Sequence, residues 1–227
     1  MTVQADAKEP MSRERVLRAA IAFADANGID SLSMRKLARE LGVEAMTLYY
    51  YVANKRDLLE GMTDLVAAEI ELPADDVDWK AATRSRAMSA HEVLERHQWA
   101  GSLWMQVMVG SARMRYMDAA LGAYRRAGLS AQSTELAFHA VENHIVGYTV
   151  QEGSFPLEPE DLATQAKAFL EKLPTEEYPY LAEHIFQHLT HESIGGGDFE
   201  FGLDLLLEGI ERIRAQQVER PKRRASR

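Results

Sequence analysis

The chain has 227 residues, no cysteine and a formal net charge of −9. That length allows one or two domains with a substantial core, and the missing thiols exclude disulfides, thiolate metal centres and cysteine catalysis. No apolar run reaches the ~18 residues of a membrane helix, and residues 1–10 are polar with no apolar signal core, so a cytoplasmic protein without a membrane partner is expected.

In chain order, the first periodic segment follows Ser12, an N-cap candidate with Met11 and Val16 as a hydrophobic staple. Val16, Leu17, Ala20, Ile21 and Ala24 form one stripe before Asn27-Gly28 stops the helix. Ser33 caps a second helix, stapled by Leu32 and Leu37. Its apolar face is Met34, Leu37, Ala38 and Leu41, while Arg35, Lys36 and Arg39 stay in water. Gly42 ends it, because glycine takes the left-handed conformation at helix ends. The next apolar positions, Val43, Leu48 and Val52, follow at once and bracket Tyr49, Tyr50 and Tyr51. Two short helices joined by such a turn make a helix-turn-helix, whose second helix fits the DNA major groove. Asn54 caps a fourth helix with Asp57 in its first turn and Leu58, Leu59, Met62, Leu65, Val66 and Ile70 apolar. Residues 71–78 break it with a proline and acids, and the domain boundary is placed inside this helix near residue 60.

From Trp79 on, the spacing predicts helices over 79–97, 101–110, 112–127, 131–152, 159–172, 177–192 and 199–217, with no sustained period-two alternation. The fold class is all-α: a head over 1–60, a larger helical domain over 61–217 and a basic, disordered tail over 218–227. The head holds nine Lys+Arg against nine Asp+Glu, the larger domain twelve against twenty-five, and the tail five against one. The acid therefore lies outside the head. Screening limits a charge's reach to ~8 Å at physiological salt, so the acidic total does not forbid a local DNA contact.

The stretch Ser33 to Asp57, with S-M-R-K-L-A-R-E-L-G-V, T-L-Y-Y-Y-V and N-K-R-D-L-L in order, resembles the DNA-binding head of the tetracycline-repressor (TetR) family. The likeness runs from Arg13 to about Leu65. It implies that Ser33 and Arg35 lie at the start of the second helix, and that Ala45, Met46 and Thr47 face the groove. It also implies that Tyr49, Tyr50 and Tyr51 touch phosphates and base edges, and that Lys55 holds a phosphate. Arginine reads guanine, lysine neutralises phosphate, and helix N-termini bind it. Ala45 and Met46 offer only apolar contacts, such as to a thymine methyl.

The last helix carries Phe199, Leu203, Leu206 and Ile210 on one face, and Gly202 and Gly209 beside it. The 131–152 helix resembles it, with Phe138, Val141 and Ile145 and the small pair Ala140 and Gly147. Two faces on each helix suggest a four-helix bundle shared by a homodimer; the plainer reading puts both in one subunit's core. Met88, Trp104 and Met108, with His91, His139 and Asn143, are candidates to line an effector pocket. His184, His188 and His191 have metal-like spacing, but no cysteine joins them and no metal or other cofactor is assigned. The expected protein is a repressor that leaves a palindromic operator in double-stranded DNA when a small-molecule effector binds, and not an enzyme. The rival readings are an all-α enzyme and an architectural DNA-binding protein without an effector.

Overall fold

Side-chain caps open the first helices. Ser12 Oγ accepts from Arg15 N at 3.1 Å and starts α1 (Arg13–Asn27). Ser33 Oγ accepts from Lys36 N at 3.3 Å and starts α2 (Met34–Leu41). After α3 (Ala45–Leu48), Asn54 Oδ1 accepts from Asp57 N at 2.9 Å and starts α4 (Lys55–Ala68). Each cap satisfies an N–H that the helix cannot, worth about 1 kcal/mol. Gly42, at φ 68 and ψ 35, turns the chain between α2 and α3. The computed structural model describes residues 10–73, 77–104, 106–108, 110–153, 159–190 and 197–224.

Val16, Ala20, Leu32, Leu37, Leu48, Val52, Leu58 and Met62 are buried together and close the head. The core does not stop there. Val66 and Ala67 of α4, with Ile70 just beyond it, carry the core into the second domain, so one helix serves both cores. That domain contains α5 (Trp79–Arg96), α6 (Gln98–Leu103), α7 (Ser111–Arg126), α8 (Ala131–Gly153), α9 (Pro159–Lys172), α10 (Pro179–Thr190) and α11 (Gly197–Arg224). α8 is its centre, packed by α5, α6, α7 and α11, while α4 packs on α1 and α7. α9 and α10 pair with each other. Among the described residues there is no strand.

Two places differ most from the sequence reading. The helix expected over 101–110 begins at Gln98 and ends at Leu103. The break falls at His97, with φ −120 and ψ 57, because His97 Nδ1 and Trp99 Nε1 both reach Asp25 of α1, at 2.9 and 2.6 Å. A contact across 72 residues sets that kink. Of the tail read as disordered, residues 218–224 continue α11 to Arg224, although Pro221 supplies no N–H to that helix; residues 225–227 lie outside the described residues.

Candidate DNA-binding surface and effector domain

The head presents its candidate groups on a short scaffold. α3 is only four residues, and Tyr49, Tyr50 and Tyr51 follow it in i→i−3 turns that bond back to Met46, Thr47 and Leu48. Leu48 and Val52 pin this segment from inside, as expected of core residues. Met46 is 70% exposed and Tyr50 86%, and Arg35, Tyr49 and Lys55 are also exposed. Ala45, Thr47 and Tyr51 are half-buried, and Ser33 is spent on capping α2. The nine expected DNA-contacting positions thus run from the N-cap of α2 through α3 to the first residue of α4.

An ion pair that sequence reasoning missed fixes this surface. Arg13 of α1 grips both oxygens of Asp57, at 2.6 and 3.0 Å, and donates to the Tyr51 carbonyl at 2.8 Å. Asp57 Oδ2 also accepts from Ala53 N at 2.8 Å. The Arg13 hydrogen bonds hold the Asp57 carboxyl below the usual carboxylate range, and Asp57 in turn raises Arg13. The segment after α3 and the start of α4, where Lys55 sits, are therefore tied to α1. Its only sequence signal was Asp57 in the first turn of a capped helix.

α4 ends in a second joint. Gly110, the N-cap of α7, has no side chain to offer, and Asp64 of α4 takes that role: its Oδ1 accepts from Ala112 N at 2.9 Å and Arg113 N at 3.0 Å. A Cβ on Gly110 would lie 2.2 Å from Asp64 Cγ, so glycine is what admits the carboxylate. A negative charge at a helix N-terminus is favourable there.

Beyond this joint the core contains charge. Arg86 of α5 is 1% exposed; its Nη1 donates to Glu142 Oε1 of α8 at 2.6 Å and meets the Tyr116 hydroxyl of α7. Tyr116 donates to the same carboxylate oxygen at 2.7 Å. Burial pushes the Tyr116 phenol well up, so it stays protonated and donates. Burial opposes the charge on Arg86, but Tyr116 and Glu142 outweigh it and raise its pKa. Arg113 of α7 is buried as well, with its guanidinium 4.8 Å over the Trp104 ring. Sequence reasoning passed over this cluster, although Arg86 standing in the buried series Ala82, Thr83, Ala87 and Ala90 was a legible sign.

The six expected effector residues are not brought together. Trp104 is in the cluster just described. His91 is buried elsewhere: its Nδ1 lies 3.1 Å from Thr149 Oγ1, its ring stacks on Phe199 at 4.1 Å, and burial lowers its pKa. Met88 lines an open cleft with Arg84 and Glu92. Met108, His139 and Asn143 are exposed.

Of the expected interface residues, Phe138, Val141, Ile145, Phe199, Leu203 and Ile210 are covered by their own chain, the plainer of the two readings. Packing of α11 against α8 and α5 turns that stripe inward, helped by His144, whose Nε2 donates to the Phe199 carbonyl at 2.9 Å. Gly202 belongs to this contact too, since a Cβ there would lie 2.5 Å from His144 Cε1. The opposite faces differ. Nothing lies within 4 Å of a Cβ built on Gly209 or Gly147, Leu206 is half-buried, and Leu205, Ile213 and Leu136 are exposed. His184 is exposed on α10, and His191 lies outside the described residues. No helix among the described residues is long and apolar enough to cross a membrane.

The family model described as "Bacterial regulatory proteins, tetR family" matches residues 16–62, and the one described as "Tetracyclin repressor-like, C-terminal domain" matches residues 72–214. The HTH-type transcriptional repressor DrrR1 of Streptomyces coeruleorubidus is 32% identical over 225 residues, covering 92% of this chain and 81% of that protein. The tetracycline repressor protein class D of Escherichia coli is 28% identical over 204 residues, 88% of this chain and 89% of that one. A solved structure titled a possible TetR family transcriptional regulator from Streptomyces coelicolor A3(2) has a TM-score of 0.73 and 29% identity, covering 89% of this chain and 100% of that one. With its helix-turn-helix head tied through α4 to a helical C-terminal domain, the chain belongs to the TetR family of DNA-binding transcriptional regulators.

Proposed function

We propose that this protein is a dimeric repressor that holds a palindromic operator and releases it when a small molecule binds the C-terminal domain. The observation that carries this reading is the double attachment of α4. Its first residue, Lys55, sits beside the clamped head surface, and its Asp64 caps α7 of the second domain. A rigid helix rising ~1.5 Å per residue transmits a small rotation from one end to the other. Two heads must sit about 34–36 Å apart to enter successive major grooves, so a modest rotation misplaces them.

In this reading Arg35, Met46, Tyr49, Tyr50 and Lys55 contact DNA, and Ser33, Ala45, Thr47 and Tyr51 shape the surface that carries them. The two chains meet through the outer faces of α8 and α11, around Gly147, Leu206 and Gly209, in a four-helix bundle. The head ends within α4 near residue 60. The protein works in the cytoplasm and has no catalytic role. The relatives named as repressors support the sign of regulation.

The test is selection of genomic fragments by the purified chain, followed by anisotropy titration of the selected site. The expected result is a palindrome bound by two chains, at least 10³-fold tighter than bulk DNA. No preference over bulk DNA would overturn the operator reading.

A further inference from the structure

We infer that the cleft between the head and the C-terminal domain binds an organic cation with an apolar body, and that this binding releases the operator. The inference rests on the effector reading above and names the place and the chemistry of the ligand. The cleft holds about 630 Å³, within the range of about 300–1,000 Å³ usual for small-molecule sites. One wall belongs to the head: Asp25 near the end of α1, with Ile29 and Asp30 of the short 3-10 turn Ile29–Ser31. The other belongs to the C-terminal domain: Glu95 and Arg96 at the end of α5, Trp99 of α6 and Val150 near the end of α8.

Two of the charged groups in the cleft are already matched. Asp25 takes His97 Nδ1 and Trp99 Nε1, and Arg96 donates to Glu69 at 3.0 Å. Asp30 and Glu95 are exposed, and among the described residues neither carboxylate has an ion pair or a hydrogen bond. They stand on opposite walls, one on each domain, so the cleft carries uncompensated negative charge on both sides. The last turn of α8 adds to it. Glu152, between Val150 and Gly153 of the cleft wall, keeps its Oε2 buried without a hydrogen-bond partner, and His91 Nε2 stands 3.6 Å away, beyond hydrogen-bond reach. Burial, and after it the charge of Glu95, push the Glu152 carboxyl up. What this region lacks is a positive charge, and the same acids repel an anion. Trp99 is the side chain that best attracts a cation to its ring, and Ile29 and Val150 offer apolar contact to the rest of the molecule. The cleft also lies at the joint that sets the head's angle, because its Asp25 makes the bonds of α1 to His97 and Trp99. A cation between Asp30 and Glu95 attracts both walls at once and shifts the head about that joint. Operator DNA fixes the head's angle, so a ligand that draws the walls together favours the operator-free arrangement and, by linkage, weakens operator binding.

The experiment uses the full-length protein and three amines, tryptamine, 2-naphthylmethylamine and 1-pyrenemethylamine, each beside the neutral alcohol and the carboxylate on the same ring system. Calorimetric titration reports binding, and anisotropy of the selected operator reports release. The expected result is that at least one amine binds and lowers operator affinity at least tenfold, and that its alcohol and carboxylate bind at least tenfold more weakly. Asp30→Asn combined with Glu95→Gln should weaken amine binding at least tenfold. Both side chains are exposed, so this double variant keeps the fold, which its unfolding curve verifies. No amine binding, equal binding of amine and alcohol, unchanged amine binding in the double variant, or amine binding that leaves operator affinity unchanged would each overturn the proposal. Release by an alcohol or a carboxylate that acts equally on the double variant would overturn the cation site while leaving the effector reading standing.

Discussion

In the head, Arg35, Lys36, Arg39 and Lys55 are exposed, and the Arg13–Asp57 pair that frames the DNA surface stays in contact with water. In the larger domain, Arg86 and Arg113 lie in the core, and Glu142 is only 12% exposed. In the proposed function the head's cations meet phosphate from outside, and an apolar interior is enough to hold them in place. The larger domain spends stability on buried charge. A buried pair stabilises little relative to an apolar replacement, while its hydrogen bonds tie α5, α7 and α8 to one another.

The strongest way to break this contrast is to remove Glu142. Glu142→Ala leaves Arg86 charged and unpaired in the core and should cost about 3–5 kcal/mol in urea unfolding, whereas Arg86→Met combined with Glu142→Leu should recover most of that loss. A cost below about 1 kcal/mol for the single variant would mean that the cluster is not tightly packed. Next comes the outer face of α11. Gly209→Glu places a charge twice in the proposed two-fold bundle, and sedimentation should show monomer; an undisturbed dimer would move the interface away from Gly209. Gly202→Ala sharpens the distinction. It meets His144 and should lower thermal stability of the subunit rather than dissociate it.

In the head, Asp57→Asn should loosen the turn after α3 and cost about 1–2 kcal/mol, with weaker operator binding. The pH dependence has a definite sign. Because Arg13 depresses the Asp57 pKa below its ordinary 3.8, the stabilisation is complete above that value and fades as pH falls below it toward the lower folded value. Acid unfolding of wild type should contain this limb and Asp57→Asn should lack it; identical acid limbs would show that the clamp adds nothing. The smallest effect is expected from Lys55→Ala: binding to all DNA weakens about equally, and the salt slope drops by ~1. An unchanged slope would free Lys55 from the phosphate role.

Most of the head was legible because its signals are local. Ser12, Ser33 and Asn54 cap helices within three residues of themselves, Gly42 sets one left-handed turn, and 3.6-residue periodicity names the inner faces. The length of α3 was not legible, since Tyr49 to Tyr51 can continue a helix as readily as they can form the observed turns.

The larger domain shows where local signals end. Periodicity on α8 and α11 reveals two faces on each helix without saying which meets the chain's own core; His144 on Gly202 and the stacking of His91 on Phe199 decide it. Arg86 and Glu142 are 56 residues apart, Asp64 and Ala112 48, and Asp25 and His97 72. A pattern read over one or two helical turns carries no information at such separations. The sequence by itself determined the all-α class, the helix-turn-helix, its caps and its exposed cations, because each depends on a few neighbouring residues. Only the tertiary structure decided which charges are buried, what caps α7, and which face of α11 is left uncovered, because those depend on helices packed side by side from distant parts of the chain.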